Sequence, residues 1–150
     1  MCSKFSKLLP LVFLLHSSVI YAQSNFSIGK IDTLFSKSLN EKRVLNIYLP
    51  FDYNKDSVDS YAVVYLLDGS KDEDFLHISG LVQFAAYEWV AWLPKTIVVG
   101  IENVDRKRDF TYPTTIEKDK LDFPTTGGSK NFISFIENEL QPFIQQNYKV

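Results

Sequence analysis

The sequence predicts an α/β fold in which an antiparallel hairpin leads into parallel strands joined by crossover helices. Three observations carry this. Residues 28–36 and 43–49 both alternate in polarity around a polar stretch containing Asn40, the pattern of a hairpin. Residues 61–67 and Thr96–Ile101 are short apolar runs without charge, which suits strands covered on both faces. Between those runs, Phe75, Ile78, Val82, Ala85 and Trp89 recur at helical spacing. Strand, helix, strand in that order implies a right-handed parallel crossover.

The N-terminus reads as a secretory signal peptide, residues 1–22. Lys4 and Lys7 form a basic start, residues 8–15 are apolar apart from Pro10, and Ile20-Tyr21-Ala22 offers a small residue before a cut. The apolar run is shorter than the roughly 20 residues of a membrane span, so no stable span is expected. Cleavage removes Cys2 and His16. It leaves residues 23–150 free of cysteine, with His77 as their single histidine, destined for secretion or the periplasm.

In the first hairpin segment Ile31 and Phe35 share one side with Thr33. In the second, Val44, Asn46 and Tyr48 alternate with Leu45, Ile47 and Leu49. Pro50 ends the hairpin, and residues 51–60 form a polar loop. The strand at 61–67 stops at Asp68-Gly69. In open α/β sheets the turn at a strand's C-terminal end is where ligands sit, which makes Asp68, Gly69 and Ser70 site candidates. Turn chemistry alone also explains Asp-Gly.

The helix that follows is expected over residues 75–92, with Asp72 or Asp74 as cap and Pro94 closing it. Gly80 weakens it and allows a later start. Residues 102–130 read as a long loop of functional length. Ser129 is expected to cap a helix running to about Gln146. Its apolar stripe is Phe132, Ile133, Ile136, Leu140, Phe143 and Ile144, with Glu137 and Glu139 facing away and Pro142 kinking the helix or shifting its last turn. Residues 147–150 resemble the start of another strand.

Composition narrows the chemistry. A net charge of −2 gives no basic surface for nucleic acid. One histidine and no cysteine in residues 23–150 leave no Cys- or His-rich metal site. The acidic run 72–74 lacks the alternate ligands and bend glycine of a calcium loop. There is no glycine-rich phosphate loop, and no cofactor is expected. No Gly-x-Ser-x-Gly elbow occurs, so no serine nucleophile is identified. What remains is the Asp68-Gly69-Ser70 turn, whose backbone N–H groups could face a developing oxyanion, and the segment carrying Arg106 and Arg108. Arg108 either binds a carboxylate or phosphate through its planar fork or pairs locally with Asp105 or Asp109.

Four stretches in order, residues 43–50 (RVLNIYLP), 63–70 (VVYLLDGS), 97–111 (IVVGIENVDRKRDFT) and 127–148 (GGSKNFISFIENELQPFIQQNY), resemble the N-terminal half of an esterase family of the α/β-hydrolases. That group includes enterochelin-esterase-like proteins and is related to S-formylglutathione hydrolase. The resemblance covers the chain from about Ile28. It implies an incomplete α/β-hydrolase sheet, with Gly69 and Ser70 in the oxyanion hole. It also implies Asp68, Arg106, Arg108 and Asp109 along the substrate cleft, and a small-molecule or polysaccharide ester as substrate. It places the nucleophile, acid and histidine beyond Val150, so that none of the triad is carried over. Tyr112, which stands before Pro113, departs from the family pattern.

The resemblance therefore implies the N-terminal portion of a secreted serine ester hydrolase, inactive alone. Two other readings stay open: a secreted interaction module without catalysis, and an acyltransferase that passes the acyl group to a sugar or lipid. A sheet cut before its central strands exposes a bonding edge and apolar helix faces. Residues 23–150 expressed alone are expected to be poorly stable, and a cooperative thermal transition of a soluble monomer would contradict this.

Overall fold

The computed structural model describes residues 26–150; the segment expected to be a signal peptide, residues 1–22, lies outside the described residues. Four strands form one mixed sheet in the order β1-β2-β4-β3. β1 (Lys30–Ser36) and β2 (Glu41–Tyr48) make the expected antiparallel hairpin, in register from Lys30 opposite Ile47 to Ser36 opposite Glu41. Asn40 closes its turn at φ +53°, a left-handed conformation that asparagine tolerates. β4 (Thr96–Ile101) pairs antiparallel with β2 and parallel with β3 (Ala62–Leu66), which gives the expected crossover.

Alternation along β2 sorts its side chains between two layers. Arg43, Leu45 and Ile47 face the C-terminal helices, whereas Asn46 and Tyr48 face α1 (Phe75–Ala85). On the first side Leu45, Ile47, Ile97, Val99 and Ile101 pack with Phe132, Phe135, Leu140 and Ile144. On the other, Tyr48 and Val98 pack with Phe75 and Val82. Every residue of β4 is buried, as the sequence predicts for a strand covered on both faces. β3 is not: Ala62 and Val64 are exposed, because β3 is the outer strand of the four. In β1 the side bearing Ile31 and Phe35 faces outward, and Asp32, Leu34 and Ser36 turn inward.

Several elements depart from the sequence expectation. α1 ends at Ala85, not Trp92. The N–H groups of Trp92 and Leu93 both fold back onto the Ala85 carbonyl, and Ala91 takes φ +52°, so the chain reverses where the helix would have continued. Trp89 is consequently exposed. Asp74 stands at the N-cap but makes no side-chain cap bond, and His77 is exposed. Residues 102–130 contain two short helices, α2 (Arg106–Asp109) and α3 (Glu117–Asp122).

The C-terminal helix is built as α4 (Ser129–Phe135), one π turn (Ile136–Leu140) and α5 (Gln141–Asn147). Proline cannot donate and its ring crowds the carbonyl four residues back; the widened turn ahead of Pro142 relieves this. The buried stripe is accordingly Phe132, Phe135, Leu140 and Ile144, with a five-residue step across the π turn, and Ile133 is exposed. Glu139 does not face away. Its carboxylate accepts from the Lys37 and Ser38 N–H groups at 3.1 and 2.8 Å and from the Ser38 hydroxyl at 2.7 Å, which fastens the hairpin turn. Tyr148 is extended, and the Lys149 carbonyl accepts from Tyr61 N–H at 3.1 Å beside β3.

A Cβ added at Gly80 would meet nothing within 4 Å among the described residues. Gly80→Ala is therefore expected to stabilise by about 0.5–1 kcal/mol, seen as a higher Tm in thermal denaturation.

Candidate active-site edge

The C-terminal ends of β3 and β4 and the start of β2 meet at one edge of the sheet, because β2 runs antiparallel to β4 with Leu45 opposite Ile101. The turn after β3 opens with Asp68 at φ +51°, a strained value for a non-glycine residue. Arg106 holds it there, with Nε 2.8 Å from one carboxylate oxygen and Nη2 3.0 Å from the other. Asn103 adds a third bond at 2.7 Å. Hydrogen bonding from Arg106, reinforced by Asn103, keeps the Asp68 carboxyl below the usual carboxylate range. The Arg106 guanidinium lies over the Phe110 ring at 5.1 Å. Asp68 and Arg106, predicted separately from sequence, thus meet as a bidentate pair.

Gly69 is fixed by close approach. A Cβ there would come within 2.4 Å of Gly100 Cα, and one on Gly100 within 2.3 Å of the Gly69 carbonyl. The two glycines let the turn lie directly on β4. Gly69 N–H donates to the Ile101 carbonyl at 3.1 Å, and its own carbonyl accepts from Asn46 Nδ2 at 3.0 Å. Ser70 is buried; its hydroxyl accepts from Asp72 N–H, and its own N–H faces the Glu73 carboxylate at 3.4 Å.

Beside this turn lies a second charged group. Arg43, 0% exposed, pairs with Asp109 and with Glu41 at 2.7 Å, and reaches the Glu102 carbonyl at 3.3 Å. Its guanidinium also stands over Phe132 and Phe135, at 5.4 and 5.8 Å. Arg108 completes the group: Nε lies 2.7 Å from Asp109, and both Nη atoms bind Glu41 at 3.0 and 2.6 Å. Those carboxylates raise the Arg108 pKa further, Glu41 most. Arg108 and Asp109 are therefore engaged within the protein. The local pairing with Asp109 is present, while Asp105 instead accepts from the Arg108 backbone N–H and caps α2.

Sequence reasoning missed Arg43, Glu41, Asn46 and Asn103. The signal for Arg43 was available: it shares parity with Leu45 and Ile47, so alternation puts a charge on the core face, where it needs a partner. The capping role read for Ser129 is also corrected. Gly128 holds the N-cap position, and a Cβ there would strike the Arg108 side chain at 2.6 Å. Ser129 is the first helical residue. Its buried hydroxyl has no hydrogen-bond partner among the described residues, and its N–H donates to the Thr111 carbonyl. A cleft of about 460 Å³ opens beside Arg108, with Tyr112, Pro113, Gly127 and Ile133 in its walls. Among the described residues, no group of three or more His, Cys, Asp or Glu is placed to hold a metal ion.

Removing one partner of the buried group is costly. Asp109→Ala is expected to destabilise by about 3–5 kcal/mol in chemical denaturation, because Arg43 loses the fully buried one of its two carboxylate partners. Arg106→Ala, at the exposed pair, should cost far less and raise the Asp68 pKa, read by NMR titration. A depressed carboxylate stabilises the fold above its unfolded pKa, so in the native protein this contribution fades as pH falls through the folded value.

Comparison with known proteins agrees with this layout. The family described as "Putative esterase" matches residues 36–150. The ferri-bacillibactin esterase BesA of Bacillus subtilis (strain 168) is 29% identical over 136 residues, which is 83% of this chain and 47% of that protein. An IroE-like serine hydrolase from Shewanella oneidensis superposes with a TM-score of 0.71 at 36% identity, over 81% of this chain and 39% of its own. The BES protein from Bacillus cereus gives 0.67 at 29% identity, over 89% and 51%. The chain thus spans about half the length of these relatives or less. The mixed sheet, with its antiparallel hairpin and parallel crossover, is the arrangement these α/β-hydrolase-like esterases share with it. Fold, sequence and family profile agree, and the chain belongs to the enterochelin-esterase-like family of esterases.

Proposed function

We propose that this chain is the N-terminal portion of a secreted serine hydrolase of carboxylic esters, which supplies the oxyanion turn and one wall of the substrate cleft. The observation that carries the reading is the Asp68-Gly69-Ser70 turn, held rigidly at the C-terminal edge of the parallel strands. In acyl transfer the serine adds to the ester carbonyl, and negative charge develops on the carbonyl oxygen. Prepositioned N–H donors stabilise that charge without reorganising. Gly69 N–H is spent on Ile101, so Ser70 N–H is the donor this turn contributes. The Glu73 carboxylate lies 3.4 Å from that N–H, so on this reading it must give way before an oxyanion takes its place.

The triad is assigned beyond Val150, which makes residues 23–150 inactive by themselves. An ester-linked siderophore is the first substrate class to test, since the Bacillus subtilis relative is named for one. The intact mass of the natural secreted protein, with the frame downstream of Val150, tests the assignment. A longer protein with a Gly-x-Ser-x-Gly elbow, labelled by a fluorophosphonate and hydrolysing ferri-bacillibactin or p-nitrophenyl acetate, is expected. A natural protein that ends at Val150, or one that neither labels nor hydrolyses either ester, overturns it.

A further inference from the structure

The end of the sheet opposite the Asp68 turn carries a second concave surface. It lies where β2 ends, α1 ends and β4 begins, and encloses about 310 Å³. That is near the lower bound of small-ligand sites, roughly 300–1,000 Å³. We propose that it binds a saccharide chain of β-linked pyranose rings, stacked on Trp89 and hydrogen-bonded by the polar side chains around it.

The chain reversal after Ala85 brings the aromatic residues together. Trp89 stacks on Tyr87 with ring centres 4.4 Å apart and planes 14° from parallel, yet remains 78% exposed. One face of Trp89 is therefore covered by Tyr87, while most of its surface is left exposed among the described residues. Tyr87 is braced edge-on by Phe84 at 6.2 Å, and Phe84 by Trp92 at 6.1 Å, so the platform is set before any ligand arrives. Phe51, fully exposed, lines the same cavity. Trp89, Trp92 and Phe51 thus expose aromatic surface close together, and a contiguous exposed apolar patch is one kind of surface that ligands use.

The polar groups identify the class of ligand. Gln83 can donate and accept, Glu88 and Asp52 accept, and Lys95 donates; all four line the same cavity. Asp52 and Lys95 are paired with each other. Counting Asp52, Glu88 and Lys95, one negative charge is left over, which disfavours phosphates, sulfates and carboxylates. A ring that offers C–H groups to an aromatic face and hydroxyls to its edges meets both kinds of lining. A β-linked pyranose has that form. The proposal stands apart from the ester-hydrolase reading, since none of its residues touches the Asp68 turn.

The natural protein, titrated calorimetrically with cellohexaose and with xylohexaose, is expected to bind at least one of them in the millimolar range or tighter. Trp89→Ala should weaken that binding by roughly tenfold or more, the factor that about 1.4 kcal/mol of lost stacking gives. Trp89 is exposed, so the variant should fold, and its rate on p-nitrophenyl acetate should equal that of the natural protein. Absence of binding heat with both sugars overturns the proposal. So does equal affinity in Trp89→Ala, or shielding of Trp89 from acrylamide, which would mean that protein covers the surface. Loss of ester hydrolysis in both proteins alike would instead count against the esterase reading and leave the sugar titration intact.

Discussion

The buried guanidinium of Arg43 is the constraint around which the site edge is arranged. A charge with no solvent exposure must find its compensation inside the protein, and here it comes from three directions. Asp109 arrives from α2, Glu41 from its own strand, and the faces of Phe132 and Phe135 from α4. To satisfy one strand residue, the chain between β4 and α4 must therefore return to the sheet. Arg108 then has to balance the second carboxylate, and it does so by binding both Glu41 and Asp109. A hydrophobic residue in place of Arg43 would pack as well, but would give α2 no reason to sit where it does.

The placement of α2 has a consequence for the Asp68 turn. Arg106 opens the same short helix that Asp109 ends, so anchoring Asp109 to Arg43 also aims Arg106 at Asp68. Asp68 keeps its left-handed backbone because that pair, and the Gly69–Gly100 contact behind it, leave the turn no other position. The position of this largely buried turn is thus tied to an ion pair deep in the sheet. The charged residues of this edge are largely consumed by one another. The backbone of the turn is engaged as well: Gly69 N–H donates to the Ile101 carbonyl, and Ser70 N–H faces the Glu73 carboxylate at 3.4 Å.

Much of the fold was legible because periodicity is a direct consequence of burial. β2 and β4 follow their hydrophobic patterns closely, and the hairpin falls within two residues of its expected bounds. The failures have local physical causes. Trp89 fits the spacing of α1, but spacing does not register the backbone reversal at Ala91, which is stabilised by two bonds to one carbonyl. Phe135 was missed and Ile133 misplaced, because a π turn breaks the 3.6-residue period the stripe was read with. β3 has the composition of a covered strand but is the outer one here, and composition describes the cover a strand can take, not the cover it has. At the site, Asp68 and Arg106 were each legible, whereas their pairing was not. They are separated by 38 positions, and only the third dimension brings them together.

The two ends of the sheet differ in a way that follows from how each closes. At the Asp68 end the loops are long and charged, and their side chains turn inward to neutralise one another around Arg43. At the other end the reversal from Ala86 to Leu93 is short and has few polar groups of its own, so its aromatic rings can only brace each other and face outward. Burying those rings within this unit would need another element over α1, where Leu81 and Phe84 are also half exposed. The same sheet therefore presents a pre-set polar backbone at one end and a pre-set aromatic surface at the other. In the proposed function, the first meets charge that develops during a reaction. The second suits a ligand recognised by the faces of its rings, whose binding requires no such charge.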